Sequence, residues 1–448
     1  MLLHKRVELL GKLLHLGARP ELNHALEKLQ PAEAAVTLEK LEEREQKVFI
    51  TLLIDSPLLV PILSQLPKET LSQILLLLDK PEQIRVLAQI PPDRAVFFLQ
   101  NVPEEQQQEL LAELPRFKRD KLDALLHYPE ESCGFRMQTE FVSVLNTATV
   151  DEAIQTIRGL GSATGIFYLY VIDDHNQLVG VLPLRPLLKE KGETKVESIM
   201  IAEPVRVRVL DPLPLAAKKV AQYNLLAIPV VDDNHHLMGV ITVDDVVDIV
   251  QAEATEDMFL MAGLGKDDRL NAPVLTTVKK RLTWMLINLA TAFLAASVVG
   301  FFRESIEKAV ALAIFMPVVA GMGGNGGTQA LTVITRSLAL GEIGARDFWW
   351  AVRRQMGIGL IVGAVTGLIT GLVAWPWQHN MVLGGVLWLA MMVNMMVAGL
   401  TGAMIPVVLK TLKQDPALGS GVIVTTFTDV CGFFTFLGLG TLFLKYLV

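Results

Sequence analysis

The pattern of hydrophobic and polar positions changes near residue 281. Before this point, leucine-rich stretches of helical period alternate with charged turns, whereas beyond it long apolar segments are separated by short polar connectors. A helix needs about 20 consecutive apolar residues to cross a bilayer. The pattern therefore predicts a water-exposed first part that is followed by an all-α membrane part.

Five apolar segments in the second part are long enough to span a membrane. They cover about residues 282–302, 309–335, 350–375, 383–409 and 417–444. Basic residues concentrate before the first segment, between the second and third, and between the fourth and fifth. Because cytoplasmic connectors carry the excess of Lys and Arg, we expect a multi-pass protein of a bacterial cytoplasmic membrane. Its N-terminus would be cytosolic and its C-terminus outside.

Short helices are predicted in the first part of the chain. Proline recurs through residues 20–130, in LPKET, KPEQI, PPDRA, VPEEQ and LPRFK, between leucine-rich segments such as QQELLAEL. Segments of about one to three turns are too short to be stable alone, so neighbours must stack. We expect a cytosolic all-α superhelical domain over residues 1–137.

An internal repeat follows. Residues 171–182, VIDDHNQLVGVL, match residues 230–241, VVDDNHHLMGVI, and each predicts two strands joined by a hairpin turn and followed by a helix. This duplication resembles a tandem pair of CBS domains, which are cytosolic α/β regulatory modules. We place the two repeats at residues 138–199 and 200–252, so the fold class is mixed and multi-domain.

Composition narrows the function classes. Hydrophobic residues make up 51% of the 448-residue chain and charged residues 19%, which fits one membrane part and one soluble part. A formal net charge of -7 makes nucleic acid a poor partner. No Walker loop, HExxH or nucleophile motif is present, so we expect no enzyme activity.

Asp429 is the main candidate for chemistry. It lies in VTTFTDVCGFF and is the only ionisable residue well inside a predicted span. A carboxylate at mid-bilayer costs a few kcal/mol, and by default it indicates a functional site facing water or an ion. The alternative is a neutral Asp429 hydrogen-bonded to a hydroxyl on a neighbouring helix.

The second span offers further oxygen ligands. Pro317 and the glycines of AGMGGNGGTQA predict a bent helix or a close approach by another helix. Asn325, Thr328 and Gln329 share this stretch, and we interpret them as pore-lining, with tight packing alone as the alternative. Hard oxygen ligands favour a divalent ion such as Mg²⁺, which is held by few carboxylates and keeps its water.

Carboxylates also cluster in VDDVVDIVQAEATED, just before the membrane part. A divalent ion bound between apposed acidic faces would hold them together, whereas the alternative is a solvated helix face. The candidates for this regulatory role are Asp245, Asp248, Glu253, Glu256 and Asp257. Within GVITVDD, Thr242 and Asp245 also resemble the pair by which many CBS domains hold an adenosine ribose. ATP is therefore a possible second ligand, through the second repeat only.

Taken together, these features resemble the MgtE family of magnesium channels. The strings that carry the resemblance are EATEDM, INLATAFLAASVVGFF, FMPVVAGMGGNGGTQALTV, DPALGSG and TTFTDV. The resemblance implies a homodimer in a lipid bilayer, with a pore lined by spans two and five. It places hydrated Mg²⁺ at Asp429, with Thr425 contributing a backbone carbonyl. It also implies that cytosolic Mg²⁺, bound by carboxylates including Asp93, favours closure.

We therefore expect a Mg²⁺-selective channel gated by intracellular Mg²⁺. Residues 253–280 would form an acidic linker, or plug, helix and the approach to the membrane, and residues 281–448 the pore domain. The alternatives are a proton-coupled transporter of Mg²⁺, Co²⁺ or Mn²⁺ and a membrane-anchored Mg²⁺ sensor. The chain departs from relatives at Asn224, where Asp is common, and at Thr328 and Gly421, where certain members have Asn.

Overall fold

The computed structural model describes residues 29–159, 166–265, 268, 274–340, 342–344 and 347–447. The N-terminal 28 residues of the predicted helical domain, and most of residues 266–273 in the predicted linker, lie outside this described part. The chain divides into two units, residues 1–250 and 251–448.

Short helices build the beginning of the first unit, as the proline pattern predicts. Pro67, Pro91, Pro103 and Pro115 each stand directly before a helix with φ between -53° and -55°, because the proline ring holds a value that suits a helix start. Their leucines and phenylalanines form one shared core. The helices are α1 (Pro31–Glu39), α2 (Glu43–Leu53), α3 (Leu59–Leu63), α4 (Lys68–Leu76), α5 (Lys80–Gln89), α6 (Pro92–Gln100), α7 (Glu104–Glu113) and α8 (Arg116–Leu126).

Two small sheets with flanking helices follow. One has the strand order β1-β2-β3-β4 and the other β5-β6-β7. The elements are α9 (Cys133–Arg136), β1 (Ser143–Leu145), α10 (Val150–Arg158), β2 (Tyr168–Ile172), β3 (Leu178–Pro183), α11 (Leu184–Leu187), α12 (Val196–Ile199), β4 (Ile201–Ala202), β5 (Val207–Arg208), α13 (Leu213–Tyr223), β6 (Ala227–Val231) and β7 (Leu237–Thr242).

The sequence repeat is reproduced in the backbone. Each antiparallel hairpin has its register shift at the equivalent place, between Val171 and Ile172 in β2 and between Val230 and Val231 in β6. Each hairpin turn also contains one left-handed residue, Asn176 or His235. The predicted strand, turn, strand and helix are therefore confirmed in both repeats.

The second unit is helical. Its elements, beginning with a helix that starts in the first unit, are α14 (Val243–Met261), α15 (Val274–Phe301), α16 (Arg303–Lys308), α17 (Ala311–Ala339), α18 (Phe348–Gln378), α19 (Met381–Thr411), α20 (Ser420–Leu442) and α21 (Leu444–Leu447). Among the residues that the structure describes, four helices are long and apolar enough to cross a membrane, namely α15, α18, α19 and α20. Helix α17 coincides with the predicted second span and runs unbroken through Pro317, so close approach, not a break, explains its glycines.

A glycine seam joins α18 to α19. Gly359, Gly363, Gly367 and Gly371 occur at every fourth position, and a side chain at any of them would collide with the backbone of α19. At Gly371 an added Cβ would lie 2.6 Å from the carbonyl oxygen of Gly384. Small residues allow such close packing of membrane helices. Helix α19 also packs against α17 and α20, so it supports both predicted pore-lining helices.

Candidate ion site and regulatory carboxylates

The two helices expected to line a pore contact each other through glycines of α17. An added Cβ at Gly324 would meet the methyl group of Thr425 at 3.7 Å, and one at Gly327 would meet the methyl group of Thr428 at 3.5 Å. Gly327 and Thr428 are buried, whereas Gly324 and Thr425 lie at the edge of the contact. The polar residues of α17 and α20 therefore lie beside the contact between these two helices.

Asp429 is half-buried and lies one turn after Thr425 on α20. The hydrogen bonds and ion pairs found among the described residues do not include its carboxylate. The neighbouring threonines donate to carbonyl oxygens of their own helix, for example Thr428 Oγ1 to the Thr425 carbonyl at 2.9 Å. Within the described chain, the alternative of a hydroxyl-bonded Asp429 therefore has no support.

The predicted lining residues of α17 point away from the helix bundle. Asn325, Thr328 and Gln329 are exposed, whereas Gly323 and Gly327 of the same helix are buried. Thr328 Oγ1 donates to the Gly324 carbonyl at 3.0 Å, which leaves the amide oxygens of Asn325 and Gln329 as the outward ligands of this face.

Asn394 belongs to the same region, and the sequence analysis missed it. This α19 residue is 1% exposed, and its Nδ2 donates to the Val319 carbonyl of α17 at 2.8 Å. A lone amide in the apolar segment MMVNMM was the signal that would have identified it, because polar residues inside membrane helices usually make contacts between helices.

In the first unit, an ammonium group joins two predicted cation ligands. Lys68 Nζ lies 3.3 Å from Asp93 Oδ2 and 3.5 Å from Asp245 Oδ1, and the three side chains are 8%, 5% and 13% exposed. The other oxygen of Asp245 accepts hydrogen bonds from Thr242 Oγ1 and Gln138 Nε2, both at 2.8 Å. The predicted ribose-binding residues Thr242 and Asp245 are therefore hydrogen-bonded to each other, and Asp245 also contacts Gln138 and Lys68 of the same chain.

Asp248 lies one turn after Asp245 and is exposed. Although the Asp248 side chain is exposed overall, the protein displaces part of the water around its carboxyl group. This desolvation and the Asp245 carboxylate raise the pKa of Asp248, whereas Lys68 and Arg94 oppose the shift. Desolvation is the largest of these effects, and charges of both signs lie near this face of α14.

The remaining predicted ligands lie at the end of α14, in the second unit. Glu253 is exposed, and Glu256 and Asp257 are half-buried. Burial, Asp415 and Glu256, in that order, raise the pKa of Asp257 to about 6. Asp415 was not predicted as a ligand, although it stands in the DPALGSG string. The amide of Gly419 donates to the Leu260 carbonyl at 3.3 Å, which holds the segment of Asp415 beside the end of α14.

No group of three or more His, Cys, Asp or Glu side chains among the described residues is arranged to hold a metal ion.

Asn224 has a local structural role. It ends α13 in the left-handed conformation, with φ 51° and ψ 47°. Asn tolerates this conformation better than most other residues with a side chain, so it suits this helix end.

Comparisons with known proteins agree with this combination of domains. Family models match three parts of the chain: MgtE, a divalent cation transporter, at residues 316–439; the MgtE intracellular N domain at residues 29–131; and the CBS domain at residues 133–190 and 196–252. A match to a divalent cation transporter model, together with helices long and apolar enough to cross a membrane, defines the class of membrane transport proteins.

Individual relatives identify the family. The magnesium transporter MgtE of Bacillus subtilis (strain 168) is 34% identical over 324 residues, which is 72% of each chain. MgtE of Thermus thermophilus is 34% identical over 330 residues, 73% of each. The crystal structure of the soluble part of a magnesium transporter matches with a TM-score of 0.52 and 28% identity, covering 56% of this chain and 99% of that one. This chain therefore belongs to the MgtE family of divalent cation transporters.

A second solved structure has the cytosolic domain of the Mg²⁺ channel MgtE in complex with ATP. Its sequence is 31% identical to this chain, and the match covers 54% of this chain and 98% of the solved chain, with a TM-score of 0.49.

Proposed function

We propose that this chain is a Mg²⁺ channel that carries the ion along the polar faces of α17 and α20. The observation that carries the proposal is the half-buried Asp429, which pairs with no described residue and lies beside the contact of these two helices. An intramembrane carboxylate without an internal partner requires a cation or water. Membership of the MgtE family supports Mg²⁺ as that cation.

Helix α17 completes five spans in this proposal. It has 29 residues, which is about 43 Å at 1.5 Å per residue and exceeds a hydrocarbon core of about 30 Å. Glycines and amides lower its hydropathy, as expected for a helix whose one face meets water. Five spans put the N-terminus in the cytosol and the C-terminus outside a bacterial cytoplasmic membrane.

A homodimer would complete the pore. One chain offers one carboxylate and exposed amide oxygens, whereas a two-fold axis beside α17 and α20 would supply two carboxylates. Two carboxylates repel each other, and a divalent ion removes that repulsion. Mg²⁺ would keep its first water shell, with Asn325, Thr328, Gln329 and the Thr425 carbonyl accepting hydrogen bonds from that water.

Regulation would come from the acidic residues outside the membrane. We assign the sensor to the domains 1–137, 138–199 and 200–252, and its output to the linker 253–280 and the pore domain 281–448. Mg²⁺ bound near Asp248, Glu253, Glu256 and Asp257 would favour the closed state to the extent that it binds that state more tightly. ATP at Thr242 and Asp245 would have to displace the intrachain bonds of Asp245.

The proposed function is tested by Mg²⁺ flux into liposomes that contain the purified full-length chain. We expect Mg²⁺ to enter down its gradient, at a rate that does not change when the proton gradient is collapsed. Protein-free liposomes are the control. A requirement for a proton gradient would identify a proton-coupled transporter instead, and no flux would leave a membrane-anchored sensor.

A further inference from the structure

The first inference concerns the amide of Asn394, which fills the space where three helices meet. An added Cβ at Gly432 of α20 would lie 2.7 Å from Asn394 Nδ2, and one at Gly323 of α17 would come closer still. Only glycine therefore fits on either side of this amide. The Asn394 Oδ1 atom is buried and has no hydrogen-bond partner among the described residues, so the side chain is held by packing and by one bond to Val319.

We propose that Asn394 is a positioning residue that sets the separation of the two pore-lining helices by filling the space between Gly323 and Gly432. This inference rests on the proposed function, since it assumes that α17 and α20 line the pore. Burying a polar group that has one unsatisfied oxygen costs free energy of desolvation, so such a group between packed helices points to a specific role. A shift of the lining helices by a fraction of an ångström would change how well a hydrated ion fits between them.

Three variants test this role in liposomes, with flux measured per folded protein for Mg²⁺ and Ca²⁺ separately. Gly432→Ala overpacks the site and should lower Mg²⁺ flux roughly tenfold. Asn394→Ala should change the ratio of Mg²⁺ to Ca²⁺ flux by about threefold or more, which a loss of stability alone would not do. The double variant should recover at least half of the Asn394→Ala flux, because the missing amide makes room for the new methyl group.

Gly438→Ala is the matched control on α20, since a Cβ there meets its nearest neighbour at an ordinary 3.9 Å. It should leave flux and ion preference unchanged. An unchanged flux ratio in Asn394→Ala, or a double variant no better than Gly432→Ala, would overturn the positioning role. Absence of flux in the wild-type chain would instead refute the proposed function.

The second inference concerns Lys68 and is independent of the membrane unit. Asp93 on α6 and Asp245 on α14 come from distant parts of the first unit, and Lys68 at the start of α4 contacts both. All three groups are nearly excluded from water. Two buried carboxylates facing each other require a positive charge between them, and here the chain supplies that charge itself.

We infer that Lys68 is a built-in counterion that holds α6 and α14 together without a divalent ion. This refines the proposed regulation, because it removes Asp93 and Asp245 from the Mg²⁺ sites and leaves the acidic end of α14 as the sensor. Lys presents a compact charge with three donors, so one ammonium can serve both carboxylates. The second oxygen of Asp245 accepts hydrogen bonds from Thr242 and Gln138. Both carboxylate oxygens of Asp245 therefore have partners without a metal ion.

Hydrogen exchange on the full-length protein tests the counterion. In the wild type, amides of α4 and α6 should be equally protected with Mg²⁺ and with a chelator. Lys68→Met leaves two facing carboxylates, so its exchange should become roughly tenfold slower or more when Mg²⁺ is added. Lys80→Met is the matched control, since exposed Lys80 pairs with Glu109 and Glu113 at the surface; it should behave like the wild type.

A second variant keeps the test decisive if Lys68→Met does not fold. Lys68→Met with Asp93→Asn removes one charge of each sign, and it should be protected with or without Mg²⁺. Wild-type protection that requires Mg²⁺, or Mg²⁺-dependent protection of this charge-balanced variant, would overturn the inference. Exchange is measured without ion flux, so this result and the transport test can fail separately.

Discussion

Asp429→Asn should lower Mg²⁺ uptake strongly while leaving a folded protein. Asn has nearly the same shape as Asp, so the packing of α20 against α17 and α19 is kept. The variant loses the negative charge that attracts the ion. Losing one partner of a close charge pair costs about 2–5 kcal/mol, and 1.4 kcal/mol is a factor of ten, so we expect a loss of about 30-fold or more. Flux into liposomes measures this loss.

Glu307→Gln is the control for this experiment. Glu307 is an exposed carboxylate in the same unit, and its partner is Arg303 on the short helix α16, with Nε and Oε1 2.8 Å apart. Its replacement removes the same charge from a site outside the proposed pathway and should leave flux unchanged. Wild-type flux in Asp429→Asn would show that the ion passes elsewhere.

Periodicity was sufficient to predict the elements of the fold. The apolar segments coincide with α15 and α17–α20, and the two repeats with two hairpins of matching irregularity. These features depend on residues close together in the chain. Pro317 shows the limit of local reasoning, because the glycines after it let Asn394 approach and the helix stays continuous.

Contacts between distant residues account for what the sequence did not reveal. Asp93 and Asp245 are 152 positions apart, and no local pattern shows that Lys68 lies between them. Asn394 was overlooked because its importance depends on Gly323 and Gly432 from two other helices. Carboxylates can be recognised as cation ligands by type, whereas the groups that already neutralise them become visible only in three dimensions.

Neutralising the acidic end of α14 should separate transport from its regulation. The triple variant Glu253→Gln, Glu256→Gln and Asp257→Asn removes the proposed ligands but leaves α19 and α20 unchanged. Burial and the neighbouring carboxylates of Asp415 and Glu256 raise the pKa of Asp257 to about 6, so negative charges already repel one another there. A divalent ion relieves that repulsion, and the variant has no such repulsion to relieve.

Inhibition of flux by Mg²⁺ on the cytosolic side measures this effect. Coupling between sites is typically about 1–3 kcal/mol, so the half-inhibiting Mg²⁺ concentration should rise roughly tenfold in the triple variant. Flux without cytosolic Mg²⁺ should match the wild type. A control that removes three exposed carboxylates elsewhere, Glu104→Gln, Glu105→Gln and Asp120→Asn, equalises the change in net charge. Equal inhibition of the triple variant and this control would remove the end of α14 from the sensor.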